Sequence, residues 1–303
     1  MPRALVTGAT GFLGRAVLSA FQDAGYETTG TGFSRASENI LKLDIRDAQA
    51  VNKVFDEVKP DVVVHCAADR QPDSCTQNPE AARQLNVTAT EHLAAASSSH
   101  SARLIYISTD YVFPGTRGDA PYSTSATPKP TNIYGQTKLD GERAVQKYEG
   151  TTSLRVPVLY GHTHPDDNHG ESAVNVLVDA VWKAQKETVN MDDWAVRTPT
   201  NTADVARVCV ALAQHTGPLP QVVQFSSDDR MTKYQICRTL GEILDLPVDR
   251  IVPVTDGGKP GPDGTIRPYD CHLDTGELKK LGISVDTVDF VAWWRRKLGA
   301  FRH

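Results

Sequence analysis

Short apolar runs alternate with helix-period patterns along the first half of the chain. Residues 4–7, 27–31, 62–66 and 104–108 read as strands, with helices at 13–24 and 80–99 between them. A polar stretch rich in Pro, Thr and Ser, residues 114–131, leads to a helix from Tyr134 to about Tyr148 and to another strand at 153–159. Strands that are apolar throughout are buried on both faces, and helices between them supply the cover. The expected fold class is therefore α/β, a Rossmann-type doubly wound parallel sheet.

After Gly161 the pattern loosens. A His/Asp/Gly loop spans 162–170, helices are expected at 172–186 and 203–215 and a strand at 222–225, and the Gly, Pro and Asp of 255–264 predict a surface loop. The expected division is a dinucleotide-binding domain over 1–160 and a smaller C-terminal cap domain over 161–303, partly interleaved with the first.

Composition narrows the classes. A net charge of −5 with acids and bases interspersed gives no basic field for nucleic acid or an anionic membrane surface. The apolar run 62–68 is far too short to span a bilayer, and Met1-Pro2-Arg3 leads directly into a strand pattern, so a cytoplasmic protein is expected. The five cysteines (Cys66, Cys75, Cys209, Cys237, Cys271) form no CxxC pair, which argues against a disulfide framework or a zinc site.

The segment TGATGFLG, residues 7–14, places three glycines at three-residue spacing between a strand and an amphipathic helix. In that context Gly8 permits the sharp turn, Gly11 lets the backbone approach a pyrophosphate, and Gly14 packs helix against strand, which aims helix N–H groups at phosphates. Thr10, Phe12 and Leu13 belong to the same turn. About 20 residues on, an NAD-binding unit presents Asp or Glu to the adenosine ribose. Here the chain reads Gly32-Phe33-Ser34-Arg35, so NADP(H) is the expected cofactor, with the Arg35 guanidinium suited to a 2′-phosphate. Arg35 also reads as a solvated surface charge. Asp44 and Ile45, after a third strand, could hydrogen-bond and flank the adenine, and Cys66-Ala67-Ala68 supplies small residues beside the cofactor.

Tyr134 and Lys138 stand at i and i+4 and so share a helix face. The strand before them ends in Thr109-Asp110-Tyr111, at the edge where ligands of open α/β sheets bind. A phenol titrates near pH 10 in water, so Tyr134 needs a neighbouring cation to exchange a proton at neutral pH, and Lys138 together with an oxidised nicotinamide would supply it. Tyr134 would then donate to a carbonyl oxygen that Thr109 also holds.

Together TGATGFLG, STDYVFPGT (108–116) and YGQTKLDGE (134–142) resemble the extended short-chain dehydrogenase/reductase family, in its dTDP-4-dehydrorhamnose reductase branch. Within that branch, further stretches are similar to the regulatory beta-subunit group of methionine adenosyltransferases. They are GFSRA (32–36), HCAADRQPD (65–73), QLNV (84–87), NMD (190–192) with Trp194, Arg197, Pro199 and Thr200, MTKY (231–234) and Arg267-Pro268. The resemblance implies an NADP site lined by Thr10 to Leu13, Phe33 to Arg35, Asp44, Ile45, Cys66, Arg70, Tyr134, Lys138 and Leu159. It implies a reductase triad of Thr109, Tyr134 and Lys138, assisted by Asp110. It also implies a partner, the methionine adenosyltransferase catalytic subunit, whose S-adenosylmethionine synthesis the chain would tune through its C-terminal tail. That tail, WWRRKLGAFRH (293–303), offers Trp294, Phe301 and His303 as contacts, and reads equally as a last amphipathic helix with both Trp packed on the body. The enzymatic alternative is an NADPH-dependent 4-reductase of a nucleotide-linked 4-keto-6-deoxy sugar. For it, Arg197, Lys233 and Arg267 are candidates to bind a diphosphate, or else structural ion-pair partners.

Overall fold

Seven parallel strands form the central sheet of the computed structural model, which describes residues 1–34, 40–163, 168–261 and 264–300. In chain order the strands are β1 (Arg3–Thr7), β2 (Glu27–Gly32), β3 (Ile40–Lys42), β4 (Val62–His65), β5 (Arg103–Thr109), β6 (Thr151–Val156), β7 (Leu159–Tyr160), β8 (Val189–Asp192), β9 (Thr200–Asn201), β10 (Val222–Gln224) and β11 (Ile251–Val254). The α-helices are α1 (Phe12–Asp23), α2 (Ala48–Val58), α3 (Pro72–Gln77), α4 (Pro79–Arg83), α5 (Ala89–Ser99), α6 (Ile133–Val145), α7 (Val176–Lys183), α8 (Thr202–Gln214), α9 (Lys233–Leu244), α10 (Gly276–Lys280) and α11 (Phe290–Lys297). The sheet order is β10-β6-β5-β4-β1-β2-β3. The chain builds outward from β1 through β2 to β3, then restarts on the other side of β1 with β4. That reversal opens a crevice at the carboxyl ends of β1 and β4, the place where doubly wound sheets bind ligands.

Period-two alternation sorts the core into two layers. Ala4, Val6, Val62 and Val64 face α1 and α8 in one cluster, while Leu5, Val63 and Leu104 face α2 and α5 in the other. The α8–β10 stretch, from the C-terminal half, thus completes the first sheet and its cover. A third cluster gathers α7, α9, α11 and the β8–β11 pair.

Three local departures from the sequence pattern have identifiable causes. The strand expected at 153–159 stops at Val156, because Pro157 cannot donate to a ladder; Leu159 and Tyr160 then pair with β9 in a separate sheet. The helix expected at 80–99 is α4, a π-turn at Gln84–Thr88, and α5. There the buried Asn86 side chain turns away from solvent to hold the backbone of Asp69 from both sides, accepting from its N–H (2.8 Å) and donating to its carbonyl (2.9 Å). Insertions of this kind into a helix commonly sit at functional sites. The helix expected at 172–186 begins only at Val176, since the Ser172 hydroxyl caps the preceding turn through the N–H groups of Val174 and Asn175.

The C-terminal helix is part of the body. Phe290, Trp293 and Trp294 are buried, and Tyr160 packs edge-on against Phe290 at 5.0 Å and Trp293 at 5.1 Å. Trp294, 1% exposed, is a packing residue of the folded chain and not a contact free to enter a partner. This corrects the tail expectation for Trp294, because eight residues with three aromatics at i, i+3 and i+4 bury more area on the chain's own core than a tail could hold exposed. Phe301 and His303 lie outside the described residues. Trp294→Ala is expected to cost about 3–5 kcal/mol of unfolding free energy, measured by denaturant titration; a loss below about 1 kcal/mol would mean that α11 contributes little to the core. No helix among the described residues is long and apolar enough to cross a membrane.

Candidate functional site

A cleft of about 880 Å³ runs along the carboxyl edge of the sheet from β2 to β6 and is closed on its far side by residues of α7 and α9. One end is formed by the glycine turn between β1 and α1. Gly8 adopts φ +67°, and a Cβ there would lie 2.7 Å from the Ala67 nitrogen, so only glycine fits. A Cβ on Gly14 would run into the Gly8 carbonyl. Ala9 N–H donates to Thr31 O (2.9 Å) and Gly11 N–H to Gly8 O (2.8 Å), which ties the turn to β2. Gly11, the N-cap of α1, supplies no side-chain cap, and the first turn carries no acid. The amide donors at this helix start therefore face the cleft without a side-chain partner, an arrangement that suits a pyrophosphate.

Every sequence-predicted cofactor residue among those described lines this one cleft: Gly8, Thr10, Gly11, Phe12, Leu13, Gly14, Phe33, Ser34, Asp44, Ile45, Cys66, Arg70, Tyr134, Lys138 and Leu159. So do Thr109 and Asp110. Arg35 lies outside the described residues. Arg15, which the sequence reading passed over, closes the turn from behind: it donates to Thr10 O (2.8 Å) and forms a two-pronged pair with Glu171, joining the glycine turn to the segment before α7. Nothing in the local pattern of α1 separates Arg15 from a solvated helix residue. Asn86 was missed because a continuous helical pattern masks it and its partner Asp69 is distant in the chain, and Arg46 because a pair with Asp44, two residues away, reads as a surface pair.

The opposite end holds Thr109, Asp110, Tyr134 and Lys138. Asn132 caps α6 by accepting from Gly135 N–H (2.9 Å), which sets the helix so that Tyr134 and Lys138 both face the cleft. Thr109, at the end of β5, donates to Asp110 Oδ1 at 3.0 Å and accepts from Tyr111 N–H at 3.2 Å. Burial raises the Tyr134 phenol above its ordinary value, with a hydrogen bond involving Thr109 opposing the shift, so Tyr134 carries its proton at neutral pH. Burial also raises the Asp110 carboxyl, to about 6, with the Arg197 guanidinium opposing. The Lys138 ammonium, 4.0 Å from the Tyr106 ring centroid, is pushed down by burial to about 7, with Glu142 opposing. Cys66 is pushed up to about 12 by burial and is no nucleophile.

The depressed Lys138 makes stability depend on pH. Between about pH 7 and its ordinary value of 10.5 the unfolded chain holds a proton that the folded site has released, so stability rises with pH across that window. Lys138→Met should flatten this rise; denaturant unfolding at about pH 7 and about pH 9.5 measures it, and equal slopes in both proteins would contradict it.

Beyond the triad the cleft ends in three cations. Arg197 is buried and donates to the carbonyls of Val196 (3.1 Å) and Pro268 (3.2 Å). Arg267 is paired with Asp73 across the cleft mouth. Burial lowers the Lys233 ammonium, and Arg197 and Arg267 lower it further. All three line the cleft. Two of them therefore have structural partners while facing the space where a ligand would lie.

The sequence matches the family model described as the RmlD substrate binding domain over residues 2–300. The chain belongs to the RmlD family. It is 43% identical over 290 residues to methionine adenosyltransferase 2 subunit beta of Xenopus tropicalis, which covers 94% of this chain and 84% of that protein, and it groups with those beta subunits within the family. It is 32% identical to a dTDP-4-keto-6-deoxy-D-glucose reductase of Streptomyces niveus, over 90% of this chain and 91% of the reductase. Among solved structures, the dTDP-4-dehydrorhamnose reductase of Clostridium acetobutylicum superposes with a TM-score of 0.83 at 26% identity, covering 98% of each chain. The RmlD fold accounts for the parallel sheet and for the cleft between the glycine turn and α6.

Proposed function

We propose that this chain is an NADP(H)-binding regulatory subunit that docks on the catalytic subunit of methionine adenosyltransferase in the cytoplasm and modulates S-adenosylmethionine synthesis. The observation that carries the reading is the 43% identity to a methionine adenosyltransferase subunit beta over 94% of this chain, which exceeds the 32% to a reductase. A shared fold does not choose between these roles; the higher identity to the beta subunit favours the first.

For the cofactor, the glycine turn would hold the pyrophosphate, Leu43 to Ile45 would flank the adenine, and Tyr134 and Lys138 would hold the nicotinamide ribose. The turn fits that group because backbone crowding keeps Gly8 and Gly14 free of side chains and no side chain caps the start of α1. Absence of an acid at residues 32–34 favours NADP(H) over NAD(H).

A second reading, an NADPH-dependent 4-reductase of a nucleotide-linked 4-keto-6-deoxy sugar, is favoured by one observation: Thr109, Tyr134 and Lys138 are assembled in the cleft with Tyr134 protonated. When bound, the reduced nicotinamide would supply a hydride. Tyr134 would then pass its proton to the substrate oxygen while Thr109 holds the same atom.

Calorimetric titration of the NADP-loaded chain against a catalytic subunit separates the two. The regulatory reading expects micromolar or tighter binding, unchanged by Tyr134→Phe and weakened in a chain ended at Leu298, which keeps α11 whole but lacks the last residues. No binding, together with NADPH oxidation by a nucleotide 4-keto sugar that Tyr134→Phe abolishes, would replace it with the reductase. Equal loss of both properties in Tyr134→Phe would contradict the separation of site and docking surface.

A further inference from the structure

We infer that Arg46 contributes a guanidinium to the 2′-phosphate of the adenosine ribose, and that Asp44 positions it; this rests on the NADP(H) reading above. In a Rossmann unit the adenosine ribose lies at the end of the second strand. Here that strand ends at Gly32, followed by Phe33 and Ser34, and no carboxylate stands in the segment. The end of β3 brings another residue to the same place. Leu43 N–H donates to Gly32 O at 2.9 Å, so the chain after β3 runs beside the end of β2, and Arg46 arrives with its guanidinium 5.2 Å from the Phe33 ring centroid. Gly32, Phe33, Ser34 and Arg46 all line the cleft, at the end away from Tyr134 and Lys138.

Asp44 is the acid that could mislead. Standing two residues before Arg46, it could accept from ribose hydroxyls and so mark an NAD(H) site. Both its oxygens are already committed: Oδ1 accepts from Arg46 Nε (2.8 Å) and from the Arg46 N–H (3.0 Å), and Oδ2 accepts from Nη2 (2.7 Å). These bonds hold the Asp44 carboxyl below its usual range. Asp44 therefore presents a neutralised pair, not a bare anion that would repel a phosphate. Arg46 has five N–H donors, and Asp44 takes two of them; the remaining three stay on a guanidinium whose side chain is 49% exposed. Phe33, 54% exposed, restricts its swing on the other side. A guanidinium held on one edge by a carboxylate, with its other edge open at the ribose end of the cleft, is a preformed acceptor site for a second, dianionic group.

Titration with NADP+, NAD+, 2′,5′-ADP and 5′-AMP, on the full chain and on Arg46→Leu, tests the assignment. Losing two charge-assisted hydrogen bonds should weaken NADP+ and 2′,5′-ADP about tenfold or more, leave NAD+ and 5′-AMP within about twofold, and flatten the salt dependence of NADP+ binding. Arg46→Lys, which keeps the charge and loses the fork, should fall between. Equal losses for NADP+ and NAD+ would overturn the proposal by showing that Arg46 supports the adenine or the fold. Unchanged affinity for all four probes would overturn it by placing the phosphate on another cation. Failure of the NADP(H) reading itself shows separately, in the unsubstituted chain, as tighter binding of NAD+ than of NADP+.

Discussion

Glu142→Ala is expected to destabilise the fold by about 3–5 kcal/mol, the usual cost of leaving one member of a buried pair alone. Arg155 and Glu142 are 3% and 1% exposed and meet through two parallel bonds, Nε to Oε1 at 2.8 Å and Nη2 to Oε2 at 2.7 Å. Ser108 donates to the same Glu142 oxygen at 2.5 Å, and Arg155 Nη1 donates to Gln224 at 3.2 Å. One ion pair thus ties α6 to β5, β6 and β10, with the Arg155 guanidinium 5.0 Å from the Phe113 ring centroid. Without Glu142, a guanidinium remains in an apolar interior with a single amide acceptor. The melting temperature should fall by about 10 °C, as read by calorimetry. Pairing the change with Arg155→Met should recover much of the loss, since neither charge is then left unpaired. A single-variant loss under about 1 kcal/mol would show that the network is dispensable. Because α6 also carries Tyr134 and Lys138, the same variant should loosen that end of the cleft.

Gly14→Ala should lower dinucleotide affinity by about 100-fold, or about 2.7 kcal/mol, while the chain still folds. The added methyl would overlap the Gly8 carbonyl and press on the Ala9 Cα, well inside van der Waals contact. Gly8 cannot yield, since its φ of +67° and its approach to Ala67 are fixed by β4. The start of α1 must therefore back away from the turn, and the N–H groups proposed to hold the pyrophosphate would move with it. Fluorescence titration with NADPH measures the loss; affinity within about threefold of the unsubstituted chain would show that phosphate recognition does not depend on this packing. Gly11→Ala offers a graded comparison, because its Cβ would meet only the Gly8 carbonyl, at 3.1 Å.

These two sites differ in how far the sequence announces them. The glycine turn is local: strand, glycine spacing and helix lie within residues 3–23, and Gly11 and Gly14 answer steric demands inside the turn, while Gly8 also meets Ala67. The Tyr134/Lys138 pair is local in the same sense, since helix period alone puts i and i+4 on one face. The Arg155–Glu142 pair spans 13 residues and matters through Ser108 and Gln224, which the chain brings in from 34 and 69 residues away. No periodicity marks either residue as buried, and charged residues are ordinarily read as exposed.

The sequence by itself determined the parallel sheet, the glycine turn and the helix face that Tyr134 and Lys138 share, because those depend on apolar alternation, glycine sterics and helix period within short windows. Tertiary structure decided the rest. It set Trp294 into the core, where Tyr160, Phe290 and Trp293 surround it, although an aromatic and basic terminus reads equally well as a free tail. It broke one helical pattern at Gln84–Thr88 so that Asn86 could hold the Asp69 backbone, and it brought Arg46 from beyond β3 to the end of β2. Each of these outcomes is a contact between segments that no window along the chain contains, so its free energy is settled only when the sheet, the helices and the cap pack together.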